Sequence, residues 1–262
     1  MLGRMEELNG RPVRSEELRS LALTNYGHFT TLRVEGGRVR GLRLHVERLV
    51  RDCRVVFGAE LDPGRLLGYL RRAVPADGGA AVIRATVFDP ALDIGHIGCN
   101  AVPAVLVTAR PAGGLELPPI RVRSVEFVRD LPEVKSVGLF GALHERRLAQ
   151  RDGFDDVLFV DGRAAVSEGA TWNIGFVRGA EVVWPEAKSL PGTTMQLLRQ
   201  FRRCGKERVT LGQLDEFDAA FATNAAIGVR PISAVDGVEF AVDHPMVAEL
   251  GKAFTGLPRD LL

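Results

Sequence analysis

Lys135, in the stretch LPEVKSVGLFGALHERR, is one of only four lysines, with Lys188, Lys206 and Lys252, among 34 basic residues. A guanidinium stays charged at any accessible pH, whereas a buried ammonium can shed its proton and act as a nucleophile or Schiff-base partner. The preceding VRDLPEV reads as extended, and a helix is expected from near Gly138. Such a strand-to-helix junction holds a reactive side chain on rigid support. Glu168, in VSEGATWN, follows an apolar strand and adjoins Gly169. A carboxylate fixed there can face a cationic ring nitrogen, keep it protonated and let the ring draw electrons. The plainer readings are a solvated lysine and a turn carboxylate, which describe most such residues.

Two further stretches could cradle an anion. In LPGTTMQLLRQFRRCG, Pro191 and Gly192 break the chain, and Thr193 or Thr194 can cap the following helix, whose apolar residues are Met195, Leu197, Leu198 and Phe201. Gly192, Thr193 and Thr194 would then offer backbone N–H groups and hydroxyls at a helix start, a geometry suited to phosphate. Alone it is a well-capped helix. Thr223, Asn224 and Ala225 could form a second such turn, because ATNAAIG is too small and polar for a central strand. Arg48, adjoining His45 on one helix face, could bring the positive charge, although an arginine is ordinarily solvated.

The elements that must position these residues read as α+β. HFTTLRVEGGRVRGL is two β-runs joined through Glu35-Gly36-Gly37, and LRLHVERLVRDCRVVFG is a helix with Leu42, Val46, Leu49, Val50, Cys53 and Phe57 on one face and Gly58 as its stop. AVIRATVFD and AVPAVLVTA read as strands. Gly and Pro gather in TARPAGGLELPP, which suggests a first domain over 1–110, a linker over 111–119 and a larger second domain over 120–262 carrying Lys135. Downstream come a helix closed by Gly153, a strand–turn–strand through Asp161-Gly162, a hairpin around Arg178-Gly179, and late strands in ERVTL and AAFATNAAIGVRPI. Regular βαβ alternation is missing, and no GxGxxG follows a strand.

Composition narrows the function class. The formal net charge is +1 and 46% of residues are hydrophobic, so no large field points to nucleic acid or a membrane surface. No stretch approaches eighteen consecutive apolar residues, and no leader pattern opens the chain, so a cytoplasmic location is the expectation. Cys53, Cys99 and Cys204 lack metal or disulfide spacing, and His28, His45, His96, His144 and His244 are dispersed, so no metal site is expected.

Taken in order, GHFTTLRVEGGRV with HVERL, VKS, GFDDVLFVDGRAAVSEGATWNIGFV, LPGTT and FATNAAIGVRPI carry a resemblance over about residues 26–232. The chain resembles the class IV aminotransferase family, the fold-type-IV pyridoxal-phosphate enzymes that include branched-chain aminotransferases, D-amino acid aminotransferases and aminodeoxychorismate lyases. The resemblance implies two α+β domains with the cofactor in the cleft between them, a homodimer, and a small-molecule amino substrate. It implies that Lys135 forms the internal aldimine with pyridoxal 5'-phosphate and shuttles a proton between the substrate α-carbon and the cofactor C4′. Glu168 would partner the pyridine nitrogen, and Arg48 the phosphate. Gly192, Thr193, Thr194, Thr223 and Asn224 would form the phosphate cup. Arg84, in VIRATVF, falls where some members place an arginine for the substrate carboxylate.

One position departs from the branched-chain pattern. Those enzymes carry a tyrosine five residues after the lysine, and Phe140 stands there without a hydroxyl, which weighs against branched-chain specificity. The first expectation is an aminotransferase acting on a small amino acid or amine. The second is a lyase resembling aminodeoxychorismate lyase that eliminates pyruvate, and the third a non-catalytic binding protein on the same scaffold.

Overall fold

The computed structural model describes residues 5–201 and 204–262. The chain forms two compact units, one of Met1–Gly113, Val134–Gly138 and Pro258–Leu262, the other of Gly114–Glu133 and Leu139–Leu257. The division at Gly113 and Gly114 lies inside the Gly/Pro-rich stretch read as a linker. The expected second domain over 120–262 is corrected in two places, because residues 134–138, with Lys135, and the C-terminal residues group with the first unit. Backbone pairing is the reason. The Phe29 N–H donates to the Lys135 carbonyl at 2.8 Å, the Val137 N–H to the Gly27 carbonyl at 2.9 Å, and His28 bridges Ser136 in antiparallel sense.

The first unit is built on strands β1 (Met5–Leu8), β2 (Arg11–Pro12), β3 (His28–Glu35), β4 (Arg38–Val39), β5 (Ala81–Phe88) and β6 (Ala104–Pro111). With the terminal strand Asp260–Leu261 they form one sheet in the order terminal strand, β4, β3, β5, β6, β1, β2. Gly36 and Gly37 join β3 to β4 with φ of 57° and 69°, the left-handed pair that a two-residue hairpin requires. A short helix α1 (Arg19–Thr24) precedes β3. Helix α2 (Leu42–Phe57) packs on β3 and ends where the Gly58 N–H donates to the Arg54 carbonyl at 2.9 Å. Helix α3 (Pro63–Arg72) starts at Asp62, whose carboxylate accepts from the Gly64 and Arg65 amides at 2.7 and 3.2 Å. Leu32, Leu49, Leu66, Leu70 and Ile83 fill the core between them, each worth about 1.5–3 kcal/mol by burial.

The buried face of α2 is not wholly apolar. It carries Leu42, His45, Arg48, Leu49, Asp52 and Cys53, while Val46 and Val50 are only half-buried. The apolar periodicity located the helix, but three polar residues at positions i, i+3 and i+7 share its inward side.

The second unit holds β7 (Ile120–Glu126), β8 (Asp156–Val160), β9 (Val166–Gly169), β10 (Asn173–Arg178), β11 (Glu181–Pro185), β12 (Cys204–Glu207), β13 (Ala219–Asn224), β14 (Gly228–Val235) and β15 (Val238–Glu239). They run in the order β12, β11, β10, β13, β14, β7, β8, β9, with β15 on β14. Helices α4 (Phe140–Arg151), α5 (Thr193–Leu198) and α6 (Pro245–Gly256) complete it. Both faces of the central strands are buried. Ile174, Phe176 and Ala222 point into one core, while Val177 and Phe221 point into another with Leu198, Met246, Leu250 and Phe254, as period-two alternation demands.

Three local expectations change. ERVTL is not the strand; β12 ends at Glu207, and Thr210 starts a 3-10 turn in which its hydroxyl bonds Gln213 at 2.8 Å. Thr223 and Asn224 end a central strand, β13, whose backbone pairs with β10 on one side and β14 on the other. The parallel pair β7–β8, with α4 on the connection, is a single βαβ crossover and not a regular alternation, so that expectation is unchanged. The helix at 193 stops at Leu198, and the arginines at 202 and 203 lie outside the described residues.

Candidate active site

In the first unit the alternation of β3 sorts two groups of side chains. Thr30 is fully buried against α2, where its hydroxyl accepts from Arg48 Nη2 and lies 2.8 Å from His45 Nδ1. Burial pulls the Arg48 guanidinium down to about 10, with the nearby Asp52 carboxylate opposing that fall and Arg51 adding to it. Burial, then the charges of Arg48 and Lys135, keep His45 neutral, well below its ordinary range. Arg48 Nε and His45 Nε2 have no hydrogen-bond partner among the described residues. An arginine buried to 7% exposure with such an unfilled donor is built for an anion.

Phe29, the next residue along β3, turns the other way. The Arg84 guanidinium lies 3.6 Å from its ring centroid, and Lys135 Nζ lies 4.8 Å from the same centroid. Arg84 Nε donates to the Thr86 hydroxyl at 3.1 Å, and burial lowers its pKa. The Lys135 backbone is held from the α2 side, its N–H donating to Asp52 Oδ2 at 3.1 Å. Arg84, Lys135 and Arg48 are thus gathered around one end of β3, on its two sides.

In the second unit Glu168 is buried on β9. Its carboxylate accepts from the Leu190 N–H at 3.3 Å and pairs with Arg129 Nη1 at 3.4 Å. Both residues line a cavity of about 630 Å³ with Phe127, Phe159, Ser167 and Lys188. The Leu190 carbonyl accepts from Asn173 Nδ2 at 2.8 Å, and a Cβ on Gly192 would lie 2.0 Å from Asn173 Oδ1. One chain of contacts therefore ties Glu168 to the start of α5. Thr193 and Thr194 are buried there, and their hydroxyls have no hydrogen-bond partner among the described residues.

The capping expectation is corrected at this point. Gly192 is the N-cap, and the two threonines lie inside the helix with no cap bond. Thr223 and Asn224 also differ from expectation. The Thr223 hydroxyl donates to the Gly228 carbonyl at 2.7 Å, so its single proton is spent. Asn224 Oδ1 accepts from the Ala226 and Ile227 amides at 2.9 and 3.0 Å, which closes the turn on itself instead of leaving those N–H groups free. Phe140 opens α4 at 79% exposure and stacks on His144.

Sequence reading missed Thr30, Asp52, Phe29, Arg129 and Asn173. A usable signal existed for Asp52, which falls on the inward spacing of α2 with His45 and Arg48. Asn173 and Arg129 gave none.

The first unit carries Lys135 and a buried arginine with an unfilled donor; the second carries a buried carboxylate and two buried threonines whose hydroxyls have no hydrogen-bond partner among the described residues. The chain belongs to the class IV aminotransferase family, whose model matches residues 27–235. It is 28% identical over 254 residues to a probable branched-chain-amino-acid aminotransferase of Rickettsia bellii (strain RML369-C), covering 87% of this chain and 86% of the relative. Its fold matches a branched-chain aminotransferase from Thermoproteus uzoniensis solved with norvaline, with TM-score 0.86, 23% identity and coverage of 97% and 94% of the two chains. It likewise matches a hypothetical aminotransferase from Mycobacterium tuberculosis in its PLP-bound form, with TM-score 0.81, 18% identity and coverage of 96% and 97%. The protein is a pyridoxal-phosphate-dependent enzyme of α+β fold. No helix among the described residues is long and apolar enough to cross a membrane.

Proposed function

We propose that the chain transfers the amino group of a small apolar α-amino acid to a 2-oxo acid, with branched-chain amino acids the first substrates to test. The observation that carries this reading is the Phe29 ring shared by Lys135 Nζ and the Arg84 guanidinium, which sets an amine and a carboxylate-binding cation on one apolar surface. The name of the Rickettsia bellii relative supports the branched-chain choice. Phe140 carries little weight against it, because its ring is largely exposed and engaged with His144.

Each residue has a physical task. The Arg48 guanidinium and the Thr193 and Thr194 hydroxyls bind the cofactor phosphate, since each is buried with a donor to offer. The Glu168 carboxylate holds a proton at the pyridine nitrogen, and Arg129 with the Leu190 N–H keeps that carboxylate oriented. Arg84, braced by Thr86, binds the substrate α-carboxylate. Pyridoxal phosphate, when bound, supplies a conjugated ring that withdraws the electron pair left at the substrate α-carbon. Lys135 Nζ would hold the cofactor and, as the amine nearest the reacting atoms, would serve as the base that moves the proton of the substrate α-carbon. A homodimer belongs to the same reading.

Single-turnover spectra of the holoenzyme against a panel of L- and D-amino acids test it. The expected result is accumulation of the aminated cofactor with leucine, isoleucine or valine and release of the matching 2-oxo acid. Pyruvate release from aminodeoxychorismate, without cofactor amination by any amino acid, would replace this reading by the lyase. A protein that never binds the cofactor would leave the binding-protein reading.

A further inference from the structure

We infer that Asp52 is the positioning residue for Lys135, fixing the lysine backbone from the same helix that carries Arg48. Asp52 has no exposed surface, yet it is a carboxylate. Burying an ionised carboxylate is tolerated only when its oxygens are filled by good donors. Here Oδ1 accepts from Arg51 Nε and Nη2 at 2.9 and 2.6 Å, and Oδ2 accepts from the Lys135 N–H at 3.1 Å.

An ion pair with Arg51 alone does not account for this arrangement. The Arg51 side chain is 45% exposed and would find a carboxylate at the surface without burying one. The inward oxygen is the costly one, and it is spent on the lysine backbone. The lysine carbonyl meanwhile accepts from the Phe29 N–H at 2.8 Å, so residue 135 is held on both sides, by α2 and by β3.

Position along the helix gives the hold its use. Asp52 lies one turn beyond Arg48, and residues four apart on a helix stand one above the other. A single rigid turn therefore sets the lysine backbone at a fixed offset from the buried arginine. Small displacements of a reacting group cost large factors in rate, so such a link has catalytic value without Asp52 touching substrate. The catalytic meaning rests on Lys135 as the cofactor lysine; the backbone hold does not.

The test compares D52A, D52N and D52E in the full chain. Hydrogen exchange at the Lys135 amide, read by mass spectrometry on residues 134–138, is expected to speed up about tenfold or more in D52A. D52N keeps a carbonyl oxygen for the amide and restores protection. D52E keeps the charge and the Arg51 pair but moves the oxygen by one methylene, and it loses protection. The rate at which added pyridoxal phosphate becomes borohydride-reducible at Lys135 should follow the same order, with D52N near wild type and D52E slowed. The opposite order, D52E like wild type and D52N impaired, would show a purely electrostatic role and overturn the inference, as would unchanged exchange in both. If D52A fails to fold, the D52N and D52E pair still decides between them. A wild type that takes up no cofactor at Lys135 would defeat the functional reading, while the exchange data would still judge the Asp52 hold.

Discussion

Replacing Gly192 by alanine strikes a contact in the chain that joins Glu168 to the start of α5. The backbone there has φ −62° and ψ 140°, which alanine adopts freely, so the cost comes from contact alone. The new Cβ would stand 2.0 Å from Asn173 Oδ1, and Asn173 is buried and tied to the Leu190 carbonyl. Asn173 must move, which adds overpacking of about 1–3 kcal/mol to a lost buried hydrogen bond of about 0.5–1.5 kcal/mol. The sum, about 1.5–4.5 kcal/mol, corresponds to a Tm lower by roughly 3–18 °C for a chain of this size. Because the Leu190 N–H holds Glu168, cofactor affinity should fall with it. Thermal melts with and without pyridoxal phosphate measure both. The double variant G192A/N173A should be no less stable than N173A, since the obstructing oxygen is already gone. A G192A protein that melts with the wild type, or additive losses in the double variant, would refute the reasoning.

Other outcomes follow from the same geometry. T193V and T194V should each leave Tm unchanged or slightly raised, since an unpartnered buried hydroxyl is lost, yet weaken pyridoxal phosphate binding about tenfold, as measured by cofactor titration. T30V should weaken cofactor binding by a similar factor because Arg48 loses its acceptor, and T30S should retain it. Burial, with Arg48 and Arg51 nearby, depresses His28 from its ordinary 6.5 to about 3, so the unfolded chain takes up a proton there that the folded chain refuses. Stability should therefore fall as pH drops from about 6.5 toward 3, by up to about 1.4 kcal/mol per pH unit from this group. H28L should show a correspondingly shallower acid limb in denaturant melts across that range.

Much of the framework was legible because it depends on local chemistry. The Gly36-Gly37 hairpin and the stop at Gly58 each follow from neighbours in sequence, whereas Glu168, expected just after a strand, lies within β9. Lys135 and Glu168 stood out by residue type and setting. What escaped was decided by partners distant in the chain. Lys135 joined the first unit through hydrogen bonds to Phe29 and Asp52, and no local pattern announces that pairing. Arg48 stood out as a candidate for an anion, whereas Asp52 passed unremarked, because the Lys135 amide it accepts from lies far along the chain. Thr223 was misplaced for the converse reason. Its small polar run looked like a turn, but its backbone pairs with both β10 and β14, and its hydroxyl is satisfied within the strand pair.

The central claim is that Lys135 is the residue that binds the cofactor. Borohydride reduction of the reconstituted holoenzyme, followed by peptide mapping, tests it most directly. The account predicts a stable pyridoxyl label on the peptide containing Lys135. A label confined to Lys188, Lys206 or Lys252, or a protein that takes up none, would contradict it.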